Sequence, residues 1–350
     1  MKQTVRLAAL RPDFEKMDEF SNPYSPAFDR AAAAPFMEKA LQRTFALLHK
    51  AGEAGADLVL TSIDIKNASF YSNPYPDIFQ AAAEPMPGPT SERLGEIARK
   101  YSMIVAASYE ERAGDDIYSS VVILGRKGEL IGVYRKVHLP VHEQWNKKVG
   151  TEIPVFKSEI GNLGVAICHD IAFTEQCRTL SMKGADIILY PTDGWGTTHA
   201  TTNYNMGEAL ARIRAAENFC YLVAAKTIQY GGPGGKSCIV SPRGEIIAEN
   251  AERVDGIVWA DCGTDYDIVE PKHHFAFTSG SASVRGRYTF ERVPAAYGEL
   301  VAEKPAVMER YKDVHYNVEK VDIEQKRADL VDFQRAAREG RPHFLKDYHW

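Results

Sequence analysis

The chain has 350 residues, of which 45% are hydrophobic and 25% charged, and it carries a formal net charge of −5. That is the composition of a globular protein long enough to bury a large core. The slight acidity, with no long run of like charge, argues against nucleic acid or an anionic membrane as a partner, and no apolar run approaches the roughly 20 residues of a membrane span.

Val5–Ala9 reads as a first strand. Pro35–Lys50 places Met37, Leu41, Phe45 and Leu48 on one helical face, with Gly52 and Gly55 beyond its end. Asp57–Leu60 is a strand, and Thr90 is a candidate cap for a helix bearing Leu94, Ile97, Ala98 and Tyr101. Met103–Ser108, Ser120–Leu124 and Leu130–Tyr134 follow as strands, the last two joined by a turn containing Gly128. Leu163–Ile167 is an apolar strand that runs into Cys168, a short helical segment comes next, and Ile187–Tyr190 is a further strand. A helix over Asn205–Asn218 and strands at Tyr221–Ala225, Ser237–Val240 and Glu245–Ala248 complete the pattern. Helices alternating with strands, some of them back to back, predict an α/β (α+β) chain with mixed sheets. The polar tail Asp313–Trp350 lacks an obvious core of its own, and residues 1–290 are expected as one domain with 291–350 as an extension packing on it or on a partner subunit.

Chemistry concentrates at two strand ends. A thiol where a buried strand meets a helix N-terminus is favoured as the thiolate, the form that attacks carbon, so Cys168 is a candidate nucleophile. Tyr134-Arg135-Lys136-Val137-His138-Leu139-Pro140 sits just beyond another strand. A lysine there can pair with a thiolate and stabilise an oxyanion.

The segments GVAICHDIAFTEQCR, KGADIILYPTDGW and ARIRAAENFCYLVAAK, with AEPMPGPTSERLGEIARKYSM and YRKVHLPVHEQW, resemble the nitrilase (carbon–nitrogen hydrolase) superfamily in unbroken order from about Val5 to about Arg287. The likeness is to its amidase and N-carbamoyl hydrolase branch. It implies a four-layer α-β-β-α sandwich, assembly into a homodimer or larger homo-oligomer, a small-molecule substrate, and no metal or organic cofactor. It also implies a Glu–Lys–Cys catalytic set acting on an amide, carbamoyl or, less favoured, nitrile carbon. Carried over residue by residue, the nucleophile is Cys168, the lysine is Lys136, and a further glutamate matches Glu143. Lys136 and the backbone N–H of His169 would steady the developing negative charge.

The resemblance breaks at one place. Counting from Gly55-Ala56-Asp57, the family's general-base glutamate falls on Ile63, which cannot take a proton, and a positioned base contributes about 10²–10⁴-fold in rate. Three readings stand open: Asp64 replaces the base, Glu143 acts as the base, or the chain is a catalytically impaired protein with a ligand-binding or assembly role.

His169, Trp195 and Tyr71 are candidate substrate-pocket residues. His138 and His142 with Cys168 could suggest zinc, but Pro140 between the histidines disfavours the helix that would align them. Gly231–Ser237 resembles a phosphate loop but fails its spacing, and reads as a loop bordering the site. Five cysteines without framework spacing, and an N-terminus without a secretory pattern, point to reduced thiols and a cytoplasmic location.

Overall fold

A computed structural model describes residues 4–12, 17–140, 143–144, 146–192, 206–227, 236–250, 255–266, 284–303, 305 and 307–308. The chain divides into two compact units, residues 1–266 with 321–350 and residues 267–320. The described part of that second unit is a helix, Val284–Phe290, followed by two 3-10 turns at Pro294–Ala296 and Gly298–Val301.

The first unit holds two six-stranded sheets. Sheet one contains β1 (Thr4–Arg11), β2 (Leu58–Leu60), β3 (Ile104–Ala113), β4 (Asp116–Leu124), β5 (Leu130–Arg135) and β12 (Gly256–Gly263), in the order β12-β1-β2-β3-β4-β5. Sheet two contains β6 (Val155–Phe156), β7 (Leu163–Val165), β8 (Ile187–Thr192), β9 (Tyr221–Lys226), β10 (Cys238–Val240) and β11 (Ile246–Glu249), in the order β11-β10-β9-β8-β7-β6. In each sheet the central strands pair in parallel and the flanking ones antiparallel.

Strand periodicity explains the layering, because alternate residues face opposite sides. Val5, Leu7 and Ala9 of β1 and Leu58 and Leu60 of β2 share one buried cluster with Val165, Ile187, Leu189 and Val223 of the other sheet. Ala8, Leu10 and Val59 point the other way, into a cluster with Leu41, Phe45 and Leu48 of α1 (Ala33–Glu53) and Leu94 and Ile97 of α3 (Pro89–Tyr101). Sheet two repeats the arrangement: Ile188, Tyr190 and Leu222 pack with Cys177 and Leu180 of α4 (Thr174–Met182) and Ala211 and Ala215 of α5 (Met206–Asn218). The result is the α-β-β-α sandwich. A seven-residue helix, α2 (Pro76–Ala82), precedes α3.

Two local expectations need correction. Helix α3 starts one residue before Thr90, at Pro89, whose missing N–H costs nothing at a first helical position. Ser91 closes the start by accepting from the Gly88 N–H at 2.7 Å, while the Thr90 N–H and hydroxyl both go to Glu84. Strand β12, which the sequence reading passed over, pairs with all eight residues of β1.

Candidate active site

Cys168 stands where the chain leaves β7 and opens a 3-10 turn, Cys168–Ala172, that leads to α4. Its φ is +44°, a left-handed conformation that costs a residue with a Cβ roughly 1–2 kcal/mol. Asp170 holds the turn closed. Its N–H donates to the Ile167 carbonyl at 2.9 Å, and its Oδ2 accepts from the Ile167 N–H at 2.8 Å.

The same carboxylate reaches the strand that carries Lys136. Asp170 Oδ2 accepts from the Tyr134 hydroxyl at 2.7 Å; Oδ1 accepts from the His138 N–H at 2.8 Å and lies 2.9 Å from His138 Nδ1. Gln176 of α4 completes the tie, its side-chain amide donating to both the Tyr134 hydroxyl and the Val165 carbonyl. Two segments from different sheets are thus fixed to each other through the buried Tyr134, Asp170 and Gln176 and the half-buried His138, in a low-dielectric setting that strengthens each bond.

Lys136 follows β5. Its N–H donates to the Ser119 carbonyl on β4 at 2.9 Å, and its carbonyl accepts from Gly150 at 2.7 Å. The side chain is 0% exposed, and its ammonium lies 2.9 Å from each oxygen of Glu143. Burial works against the charge on Lys136, but Glu143 and then Cys168 more than offset it, so the lysine pKa lies above its ordinary value. A protonated lysine coupled electrostatically to a thiol is the condition for a stabilised thiolate. Burial pushes the Cys238 and Cys262 thiols up to about 12 each and raises Cys177 as well. All five cysteines are buried.

Sequence reading missed a second buried pair beside the first. Glu143 begins a single turn in which the Lys147 N–H donates to its carbonyl at 3.0 Å. This brings the Lys147 ammonium to 3.8 Å from Glu143 Oε2 and 2.9 Å from Oε1 of Glu110 on β3. Asp64, by contrast, serves the backbone. It has φ +46°, and its two oxygens accept from the N–H groups of Ala68 (3.1 Å) and Ser69 (2.8 Å), opening a 3-10 turn at Ala68–Tyr71. Both carboxylate oxygens are therefore occupied in a cap.

Ile63 is buried in the inter-sheet cluster that also holds Cys168, Ile167 and Tyr134. Tyr71 is 0% exposed; its hydroxyl donates to the Ser21 carbonyl at 2.8 Å, and it packs with Phe36 and Phe28. That is a core position. His169, next to the thiol, packs edge-on to Phe173, and burial, followed by Lys136, pulls its pKa below the usual value. His138 stacks on Phe173 with ring centroids 3.9 Å apart while its Nδ1 faces Asp170. Trp195, His142 and most of the Gly231–Ser237 loop lie outside the described residues.

Residues 33–266 match the family model described as carbon-nitrogen hydrolase. A protein described as a probable nitrilase from Schizosaccharomyces pombe is 30% identical over 272 residues, covering 75% of this chain and 92% of that one. The omega-amidase NIT2 of Xenopus tropicalis is 29% identical over 248 residues, covering 67% and 86% respectively. Among solved structures, Saccharomyces cerevisiae Nit3, a member of branch 10 of the nitrilase superfamily, superposes with a TM-score of 0.56 at 25% identity, covering 75% of this chain and 90% of that one.

Proposed function

Since the chain belongs to the carbon–nitrogen hydrolase family, we propose that it hydrolyses an amide or N-carbamoyl bond of a small molecule through a Cys168 acyl-enzyme, releasing ammonia. The observation that carries this reading is the fully buried Lys136, held by both oxygens of Glu143 and charge-coupled to Cys168. The similarity to an omega-amidase favours the amide over a nitrile.

The thiolate of Cys168 adds to the substrate carbonyl carbon. Lys136 and the His169 N–H stabilise the oxyanion, the worth of such preorganised donors being several kcal/mol of barrier. The carbon–nitrogen bond then breaks, and the departing nitrogen takes from Glu143 the proton that Cys168 gave it on ionising and leaves as ammonia. Water attacks the thioester and gives its proton to Glu143; the carbon–sulfur bond breaks and the acid is released. Glu143 is assigned the base because Ile63 occupies the position the family resemblance gives to the base and Glu143 is the carboxylate paired with the Lys136 that is charge-coupled to Cys168, whereas Asp64 binds the backbone of the Ala68–Tyr71 turn. Five buried cysteines without disulfide-framework spacing support a cytoplasmic setting, and the family resemblance supports a homodimer or larger assembly.

One observation favours a second reading. Ile63 fills the apolar cluster around Cys168, so the chain would bind a ligand or a partner without turnover. Ammonia release from amides, carbamoyl amines and nitriles separates the two. Activity in the wild type that vanishes in Cys168→Ala supports the hydrolase. Silence in the wild type with activity gained in Ile63→Glu supports the second reading.

A further inference from the structure

Glu110 and Lys136 lie on one row of the first sheet. Glu110 on β3 pairs with Ser119 on β4, and the Ser119 carbonyl accepts the Lys136 N–H. The next side chain along this buried face is Lys147, shared between Glu110 at 2.9 Å and Glu143 at 3.8 Å. Glu110 and Lys147 are 1% and 8% exposed. The Glu110 Oε1 also receives the Ser69 hydroxyl at 3.2 Å, while its Oε2 is buried with no hydrogen-bond partner among the described residues. The groups charged toward Glu110 are Lys147, Asp64 and Glu143.

A lysine and a glutamate buried together are often no more stable than two apolar residues of the same size, so fold stability alone does not account for this pair. Its charges do something specific, however. Lys136 and Lys147 balance Glu143 and Glu110; ionising Cys168 adds an anion to a set that water cannot screen.

We propose that the Lys147–Glu110 pair is a positioning element for the reaction: an ionised Glu110 draws Lys147 toward itself and opposes the Cys168 thiolate, whereas a protonated Glu110 releases Lys147 to Glu143 and favours it. Glu110 touches neither substrate nor sulfur and acts through Lys147 and Glu143. Burial holds its carboxyl up to about 7, against the pull of Lys147 and with the help of Asp64, so it titrates where an enzyme in neutral solution would sense it. The proposal rests on the reading of Cys168 as the nucleophile.

The test is the pH dependence of Cys168 alkylation by iodoacetamide, followed on its peptide by mass spectrometry in the full chain. At about pH 8, where Glu110 is ionised, Glu110→Gln is expected to react about three- to tenfold faster than wild type, and the gap closes toward about pH 5.5. Lys147→Met slows the reaction at the same pH. The double variant, which removes one charge of each sign, returns to near the wild-type rate but loses the curvature that Glu110 imposes between about pH 6 and 8. Profiles that superimpose in all variants, or a fold-change constant with pH, would overturn the proposal. If either single variant fails to fold, retained curvature in the double variant overturns it equally. Failure of the underlying reading looks different: Cys168 would then be alkylated no faster than Cys177, Cys220, Cys238 or Cys262 in any variant.

Discussion

Asp170→Ala is the substitution with the largest expected consequence outside the reacting groups. Asp170 is fully buried and carries two contacts on each oxygen: the His138 N–H and ring nitrogen on Oδ1, the Tyr134 hydroxyl and the Ile167 N–H on Oδ2. Hydrogen bonds to a charged acceptor contribute about 1.5–3 kcal/mol each. Alanine strands at least the Tyr134 hydroxyl and the Ile167 N–H, which are buried, and partly strands the His138 N–H. Allowing for water entering the vacated space, the loss comes to about 4 kcal/mol, in line with the 3–5 kcal/mol for removing one member of a buried ionic group. Urea unfolding of the purified chain, followed by far-UV circular dichroism, reads it directly. Asp170→Asn keeps the shape and one acceptor oxygen, so about half the loss is expected. Cys168 should also lose its preference in alkylation, because the bond that closes the turn onto the Ile167 N–H is removed. A loss below about 1 kcal/mol in the alanine variant would mean that the network is a consequence of the packing and not a cause of the geometry.

Other outcomes follow from the same structure. Lys136→Met should lower kcat by at least about 100-fold, because it removes the cation beside Cys168 and an oxyanion partner together; steady-state ammonia release checks it. Gly150→Ala places a methyl group against the Arg135 carbonyl oxygen, at the end of the strand that aims Lys136. It should cost about 1–3 kcal/mol in denaturant unfolding and lower kcat beyond what the remaining folded fraction accounts for. Tyr71→Phe removes a core hydrogen bond and should cost about 1 kcal/mol while leaving KM unchanged. Glu110 gives a pH prediction. Its folded pKa, about 7, lies above the ordinary 4.5, so between these values the folded state binds more protons than the unfolded one and Glu110's contribution makes stability fall as pH rises. Glu110→Gln should flatten that part of the stability–pH curve, as measured by urea midpoints at several pH values.

The sequence made Cys168 and Lys136 visible for a simple reason. Each follows a run of apolar residues, and a strand end is where such a chain exposes chemistry. Glu143 was visible only through the family resemblance. Glu110 was not visible at all: the third strand was expected to stop at Ser108, and the observed strand continues through Tyr109-Glu110-Glu111 to Ala113. Alternation puts these two glutamates on opposite faces, and both are buried because cations come to them from elsewhere, Lys147 to Glu110 and Arg135 to Glu111. Hydropathy along one strand cannot report a partner on another. Asp170 was obscured in the same way, as one polar residue in a turn whose four contacts come from the Lys136 strand and the preceding Ile167. Tyr71 shows the default for a large aromatic, a buried ring in a cluster with Phe36 and its hydroxyl on the Ser21 carbonyl.

The pairing of β1 with β12 bears on how the sandwich is reached. The first strand has one neighbour close in sequence, β2, and one that arrives only after every other strand of both sheets has been made. Arg6 marks the same span, bonding Asp57 through its backbone and Asp261 through its side chain. Such a long closure is slow, because the loop entropy is lost before the contact forms. While the chain emerges from a ribosome, the outer edge of β1 therefore waits unpaired and exposed to aggregation, and sheet one becomes whole only when its last strand is in place.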